Sequence, residues 1–416
     1  MVRVNTVKIL WVKGGKLLPT DTGGKLRTWN ILRCLAATNQ VTLLSYYGGK
    51  RDQVYEDEIA RALPGTLAIY TAAPDVTFLE RSLDYLRRLP SPAPYAVTKF
   101  TDRQVQEVLQ SWIAEGRFDV AVCDFLCASL NFPRVLSTPT VLFQHNVESA
   151  VWRRKARSEA KWIDRTIAKI EFAKMARYEP AEVRRFHHVI AVSELDREEM
   201  KTMVDSARIS VVPTGVDLQQ FQPAENGKPS SQCVVFTGSM DWEANIDGVE
   251  YFCREVWPRV LAVMPEARFR IVGRDPHPRV HRLACKSVEV TGSVPSVVEY
   301  LSNATVFVVP LRMGGGTRLK IYEAMAMGKA VVSTTLGAEG LDVRDGSDIL
   351  LADDAATFAD HVITLLRDGD LRGRYEKAAA ERAKQYDWTI VSQRLSEVLT
   401  RVVNSAGLVS QSALPV

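Results

Sequence analysis

Residues 310–329 read PLRMGGGTRLKIYEAMAMGK, and this stretch decides the fold. The apolar run at 304–311 has the length of a buried strand, and apolar residues at helical spacing follow the three glycines. A strand, a glycine loop and a helix in that order make half of a βαβ unit. The loop then lies at the carboxyl end of a strand, where open α/β sheets bind ligands. Backbone N–H groups of Gly314, Gly315, Gly316 and Thr317 can approach an anion closely, and the helix N-terminus adds partial positive charge. Arg318 and Lys320 stand in the first turn, where the helix dipole disfavours cations unless an anion is shared. A diphosphate would satisfy the glycines, the dipole and both cations together. The plainer alternative, a solvated basic helix start, leaves the entropy cost of three successive glycines unexplained. Glu323 lies five residues after Arg318, outside the i+3 or i+4 spacing of a helical ion pair. A carboxylate placed there can accept hydrogen bonds from ribose hydroxyls.

Strand-like and helix-like periods alternate on both sides of this stretch. In the second half the strand segments are 233–237, 269–272, 288–291, 305–309, 330–333 and 349–351. In the first half they are 7–12, 41–46, 119–124, 140–145 and 189–193. Such alternation predicts mostly parallel sheets covered on both faces. The segment 211–217 reads as a turn-rich crossing, and the polar residues 223–231 (PAENGKPSS) as a linker. The expected fold is therefore α/β, with two Rossmann-like doubly wound domains facing a cleft. Their expected bounds are 1–212 and 213–386, followed by a crossing helix and tail at 387–416 that packs back on the first domain. In that last segment Ile390, Val391, Leu395, Val398, Leu399 and Val402 form one stripe. The stripe predicts a helix to about residue 403, with a frayed tail from Gly407.

The first glycine loop, PTDTGGKLR at 19–27, opens a helix expected at 25–37. Gly23 and Gly24 suit phosphate there, although a tight strand-to-helix turn would also use them. The loop is not a nicotinamide fingerprint: the G-x-G-x-x-G spacing is missing, and the second strand runs into Ser45-Tyr46-Tyr47 with no carboxylate for a ribose. His145 ends a strand segment, again where ligands bind; a histidine satisfied by a backbone carbonyl is the alternative.

Hydrophobic residues make up 46% of the 416, so a full core is possible and disorder is excluded as the main state. The net charge of +4 is too small to call for a nucleic-acid partner. No apolar run reaches the roughly 18–20 residues of a membrane span, and Lys8 and Lys13 interrupt the N-terminal apolar stretch. The expected location is cytoplasmic, or peripheral on the inner face of a membrane. Six cysteines are scattered, and the spacing of Cys123 and Cys127 fits neither a redox pair nor a zinc knuckle. Adjacent His187 and His188 would face opposite sides of a strand, so no metal site is read. Charge is concentrated: residues 151–188 hold 11 Lys/Arg and 5 Asp/Glu, a net of +6 that leaves the rest of the chain at −2. Trp152, Ala156, Ile163, Ile167 and Ile170 recur there at near-helical spacing. This basic amphipathic helix either docks on its own domain or, through 151–178, lies on an anionic membrane surface.

Six stretches in a fixed order resemble the retaining glycosyltransferases of family four, which have the GT-B fold. They are DTGGKLRT (21–28), FQHNVES (143–149), VIAVSELD (189–196), VVPTGVDLQQFQP (211–223), VVFTGSMDWEANIDG (234–248) and GGGTRLKIYEAMAMGKAVVSTTLGAEG (314–340). The resemblance covers nearly the whole chain. It implies transfer of a sugar from a nucleotide-diphosphate sugar to a saccharide or lipid-linked acceptor, with retention of anomeric configuration, in cell-surface polysaccharide or glycolipid synthesis. It implies that Gly23 and Gly24 lie beside the donor phosphates and that His145 stands near the scissile bond. Glu323, the second glutamate of the family's E-x7-E motif, would bind the ribose, and segment 291–294, ending at Val294, would hold the base. Gly238 and Ser239 fall in the donor-binding stretch after the first strand of the second domain.

Two departures stand out. The first glutamate of E-x7-E falls at Gly315, and the Arg and Lys of many relatives are replaced around Ser239, Ala244 and Asn245. Arg318 and Lys320 would supply the missing charge. With no D-x-D pair placed to hold a metal, they and the helix N-terminus would stabilise the leaving diphosphate without a cofactor. No carboxylate nucleophile stands out, which favours front-face attack by the acceptor, with His145, Arg318 and Lys320 as the catalytic group. The alternatives are a nucleotide-sugar epimerase on the same fold, which needs more acid–base groups around the sugar than Glu323 offers, and a non-catalytic sugar-nucleotide binder.

Overall fold

The computed structural model describes residues 6–71, 78–158, 161–223, 232–316 and 318–412. They form two compact units, Met1–Pro213 with Val391–Val416, and Thr214–Ile390. The first unit holds β1 (Lys8–Gly14), β2 (Gln40–Tyr47), β3 (Leu67–Tyr70), β4 (Val120–Asp124), β5 (Thr140–Phe143), β6 (His188–Ala191) and β7 (Ile209–Val211). Their order in the sheet is β3-β2-β1-β4-β5-β6-β7, every pair parallel. The second unit holds β8 (Cys233–Thr237), β9 (Arg268–Val272), β10 (Val288–Gly292), β11 (Val306–Val309), β12 (Ala330–Ser333) and β13 (Leu350–Leu351). Their order is β10-β9-β8-β11-β12-β13, again all parallel. Central strands such as β4, β8 and β11 are buried along their whole length, because helices cover both faces of each sheet. In each unit the strand order reverses next to the first strand, between β1 and β4 and between β8 and β11. A crevice opens outside the carboxyl ends at such a point.

Strands β3 and β7 were not expected. Both are edge strands of four and three residues, too short to show a period, and β7 takes up the start of the segment read as a crossing. The basic segment is two helices, Glu148–Ser158 and Trp162–Arg185, rather than one. The expected apolar stripe also fails in the second helix: Ile163 and Ile170 are exposed, and the buried face is Ala168, Glu171, Met175, Glu179, Glu182 and Val183. Carboxylates face inward there because each has donors to meet. Glu179 accepts from the Gln144 amide at 2.9 Å and from the N–H groups of Glu148 and Ser149 at 2.8 and 2.9 Å, capping the helix Glu148–Ser158 from outside it. Glu171 accepts from the Tyr95 N–H at 2.7 Å.

The last helix is Trp388–Ser412 and runs through Gly407, where a tail was expected. From Val391 it belongs to the first unit, burying Val391, Leu395, Val398 and Leu399, while Ile390 of the expected stripe is exposed. Residues 224–231 of the linker reading lie outside the described residues. Among the described residues no helix is long and apolar enough to cross a membrane.

Candidate active site

Where the first sheet reverses, Lys13 at the end of β1 sits opposite Asp124 at the end of β4. Lys13 Nζ lies 3.0 Å from Asp124 Oδ2, with both side chains buried, and the Thr28 hydroxyl donates to the same oxygen at 2.8 Å. Asp124 Oδ1 is 2.8 Å from His145 Nε2, and Arg27 Nη1 is 3.1 Å from His145 Nδ1. A guanidinium only donates, so Nδ1 accepts and Nε2 carries the ring proton. Burial pushes His145 down to about 4; Asp124 opposes this, while Arg27 and Lys13 add to it. The ring is therefore neutral at neutral pH. Burial acts to raise Asp124, but Lys13, His145 and the hydrogen bonds outweigh it and hold the carboxyl well below its usual range.

His145 lies two residues beyond β5 rather than on it, so its ring turns back to stack on Phe125 with centroids 3.6 Å apart. Gly23 and Gly24 are the first residues of the helix Gly23–Ala36, which Thr22 caps. A Cβ on Gly24 would lie 2.9 Å from Phe125 Cζ, so the Phe125 ring requires glycine there.

In the second unit, Gly238 and Ser239 follow β8. The Gly238 N–H bonds to Val272 O at 2.9 Å, and a Cβ on Gly273 would lie 1.6 Å from Gly238 O. Only glycine lets the ends of β8 and β9 close this tightly. Lys320 reaches across the gap. Its Nζ donates to Asn245 Oδ1 at 3.1 Å and lies 4.1 Å from the centroid of the Phe236 ring. A Cβ on Gly238 would meet that Nζ at 2.6 Å. Asn245 donates in turn to Ser239 O at 2.8 Å, and Arg274 Nε donates to the Ser239 hydroxyl at 3.0 Å.

Gly314 and Gly316 have φ of +103° and +81°, a region that favours glycine. Arg318 occupies the cap position of the helix Leu319–Ala326, not its first turn; Lys320 is in that turn. The buried Arg318 guanidinium donates to the carbonyls of Gly315 and Gly316 and lies over the Trp242 ring, 5.3 Å from its centroid. Arg318 therefore folds the loop as well as charging it. Burial draws the Lys320 ammonium down to about 7, Arg318 adding and Glu323 opposing. Burial lifts Glu323 to about 7 against the pull of Lys320. Lys320, one helical turn away, is thus the cation that Glu323 feels. Val294 follows β10 and packs half-buried on the core. Thr317 lies outside the described residues.

Gly238, Ser239, Gly314, Gly315, Gly316, Arg318, Lys320 and Glu323 thus belong to one end of one sheet, while Gly24 and His145 belong to the cluster of the other. Lys13 and Asp124 were missed, although each is a polar residue at a carboxyl strand end, the feature that marked His145. Asn245 was noted only as a missing cation, and nothing in the sequence shows that it tethers Lys320. Sequence comparison bears on the same two halves. The model of Glycosyltransferase Family 4 matches residues 23–220, and that of Glycosyl transferases group 1 matches 231–368.

The chain belongs to the family-four glycosyltransferases.

This glycosyltransferase is 26% identical over 383 residues to the phosphatidyl-myo-inositol mannosyltransferase of Mycobacterium leprae, a match spanning 87% of this chain and 95% of that one. It is 30% identical over 229 residues to the same-named enzyme of Mycolicibacterium smegmatis, spanning 53% of this chain and 58% of that one. Among solved structures, the sucrose-phosphate synthase of Thermosynechococcus elongatus superposes with a TM-score of 0.70 at 16% identity, covering 95% of this chain and 99% of that one. The glycosyltransferase has the GT-B fold of two Rossmann-like, parallel-sheet domains.

Proposed function

We propose that this glycosyltransferase takes its sugar from a nucleotide-diphosphate sugar and passes it, with retention of configuration, to a saccharide or lipid-linked acceptor in cell-surface polysaccharide or glycolipid synthesis. The observation that carries this reading is the loop after β11. Gly314, Gly315 and Gly316, the start of the helix Leu319–Ala326, Arg318 and Lys320 gather positive dipoles and charges at one strand end. Expulsion of a diphosphate builds negative charge there, and fixed positive groups lower that barrier. Burial draws the Lys320 pKa down, and a bound diphosphate would favour its charged form. Glu323 takes the ribose, Val294 borders the base, and Gly238 and Ser239 complete the donor site. No metal is assigned.

His145 and the Gly23-Gly24 turn keep the part that the resemblance implies near the donor sugar and phosphates. With both ring nitrogens engaged and its pKa near 4, His145 acts as a positioning residue rather than a proton carrier. The names of the mycobacterial relatives support a lipid-linked acceptor, and the comparisons lend the epimerase alternative no support. Exposed Trp162 and Ile163, a few residues along the chain from Arg153, Arg154, Lys155 and Arg157, support contact of segment 151–178 with an anionic membrane face. The test is turnover of a panel of nucleotide sugars in EDTA, with the fresh product read by nuclear magnetic resonance. Retained anomer and undiminished rate are expected. An inverted anomer, or strict dependence on magnesium or manganese, contradicts the reading.

A further inference from the structure

A cavity of about 380 Å³ opens in the first unit at the amino ends of β6 and β7, the opposite end of that sheet from the Asp124–His145 cluster. The last helix contributes Val398, Arg401 and Val402 to its lining, and the sheet edge contributes His187, His188 and Arg208. Among the described residues no carboxylate lines it. Arg208 is fixed without being neutralised: its Nε donates to His187 O at 3.1 Å and its Nη2 to the carbonyls of Arg184 and Phe186, which leaves Nη1 for a ligand. The Arg401 guanidinium has no hydrogen bond or ion pair among the described residues. His187 Nδ1 accepts from the Thr140 N–H at 3.2 Å, so in the neutral ring Nε2 carries the proton and stays a donor. The carboxylates nearest in sequence are bonded to other groups. Asp205 accepts from the Ala207 N–H at 2.9 Å, Glu182 pairs with Arg185 at 2.6 Å, and Glu397 accepts from Gln393 at 3.3 Å. Burial lowers the pKa of both histidines; Arg208 lowers that of His187 further, and Arg401 and Arg208 that of His188, with no carboxylate opposing them.

We propose that this cavity binds a small molecule bearing a phosphate group, held between Arg208 and Arg401 with the His187 Nε2–H as a further donor. The guanidinium fork matches phosphate oxygens, and Val398 and Val402 offer apolar surface to the rest of the ligand. Arg401 stands on the last helix and Arg208 precedes an edge strand, so the bound phosphate fastens that helix to the sheet. This site lies apart from the glycine loops, and the proposal does not rest on the transferase reading.

The test is hydrogen exchange of the full chain, read by mass spectrometry, in inorganic phosphate, glycerol 3-phosphate or neutral glycerol. A ligand that bridges the helix to the sheet suppresses local opening of both. At least one of the two phosphates should slow exchange threefold or more in peptides spanning 396–405, and glycerol should not. In Arg401→Gln, which removes an exposed side chain, half-saturation should need at least fivefold more phosphate, and Arg401→Lys should recover part of that loss. A lower half-saturation for glycerol 3-phosphate identifies an ester as the ligand; any other order identifies free phosphate. No protection of 396–405 by either phosphate, equal protection by glycerol, or an unchanged half-saturation in Arg401→Gln overturns the proposal. Exchange of peptides spanning 314–326 in the same samples reports phosphate at the glycine loop separately.

Discussion

Burial moves Lys320 and Glu323, one helical turn apart, to about 7 from opposite sides. Folded Lys320 binds fewer protons than the unfolded chain between about 7 and the ordinary lysine value of 10.5, so stability rises with pH over that window. Folded Glu323 binds more protons between 4.5 and about 7, so stability falls with pH there. The ligand-free pair thus places a stability minimum near neutrality. Thermal melts of wild type and the double variant Lys320→Met/Glu323→Gln should differ most near pH 7 and converge toward pH 4.5 and pH 10. A difference flat across that range would mean that neither group titrates abnormally. At the other cluster, Asp124→Asn removes the anion between Lys13 and His145. Breaking a buried pair in this way costs about 3–5 kcal/mol, and urea unfolding should show it. A loss below 1 kcal/mol would mean that the cluster is not held by charge.

Glycine positions at strand ends separate two roles at the element scale. A Cβ on Gly273 would collide with the Gly238 backbone, which cannot give way, so Gly273→Ala should fail to fold or melt far below wild type. A Cβ on Gly238 would meet only the flexible ends of Lys320 and Asn245. Gly238→Ala should therefore fold and lose nucleotide affinity, as titration would show. Equal melting temperatures for the two variants would refute the distinction.

Most of these elements were readable in advance. The central strands are continuous apolar runs, and the glycine loops punctuate them at the ligand-binding ends. What escaped was set by tertiary context. The edge strands Leu67–Tyr70 and Ile209–Val211 are too short for a period. In the helix Trp162–Arg185 the inward face carries Glu171 and Glu179, because distant backbone N–H groups need acceptors there, and so the apolar pattern points the wrong way. In the candidate site the motif glycines and cations were legible one by one. The bond from Lys320 to Asn245 and the approach of Lys13 to Asp124 depend on pairing between strands far apart in sequence.

For the whole molecule, the concentration of charge in 151–188 is the feature that a binding surface would exploit. Replacing Arg153, Arg154, Lys155 and Arg157 with glutamine should reduce sedimentation with anionic vesicles and leave neutral vesicles unaffected. Each basic residue near such a surface contributes about 1 kcal/mol. Arg153 is already paired with Glu199 at 2.9 Å, so membrane contact would compete with that pair. Identical, salt-insensitive sedimentation of wild type and variant would remove the membrane contact from the account.

In the proposed donor site Arg318, Lys320 and the glycine loop hold the diphosphate without a metal. Calorimetric titration of nucleoside diphosphates in EDTA tests it most directly, with wild type set against Arg318→Ala and Lys320→Ala. A charge-assisted contact contributes about 1.5–3 kcal/mol, so each variant should bind about one to two orders of magnitude more weakly while remaining folded by circular dichroism. Tight binding that survives both substitutions, or no binding to wild type until a divalent cation is added, would contradict the account.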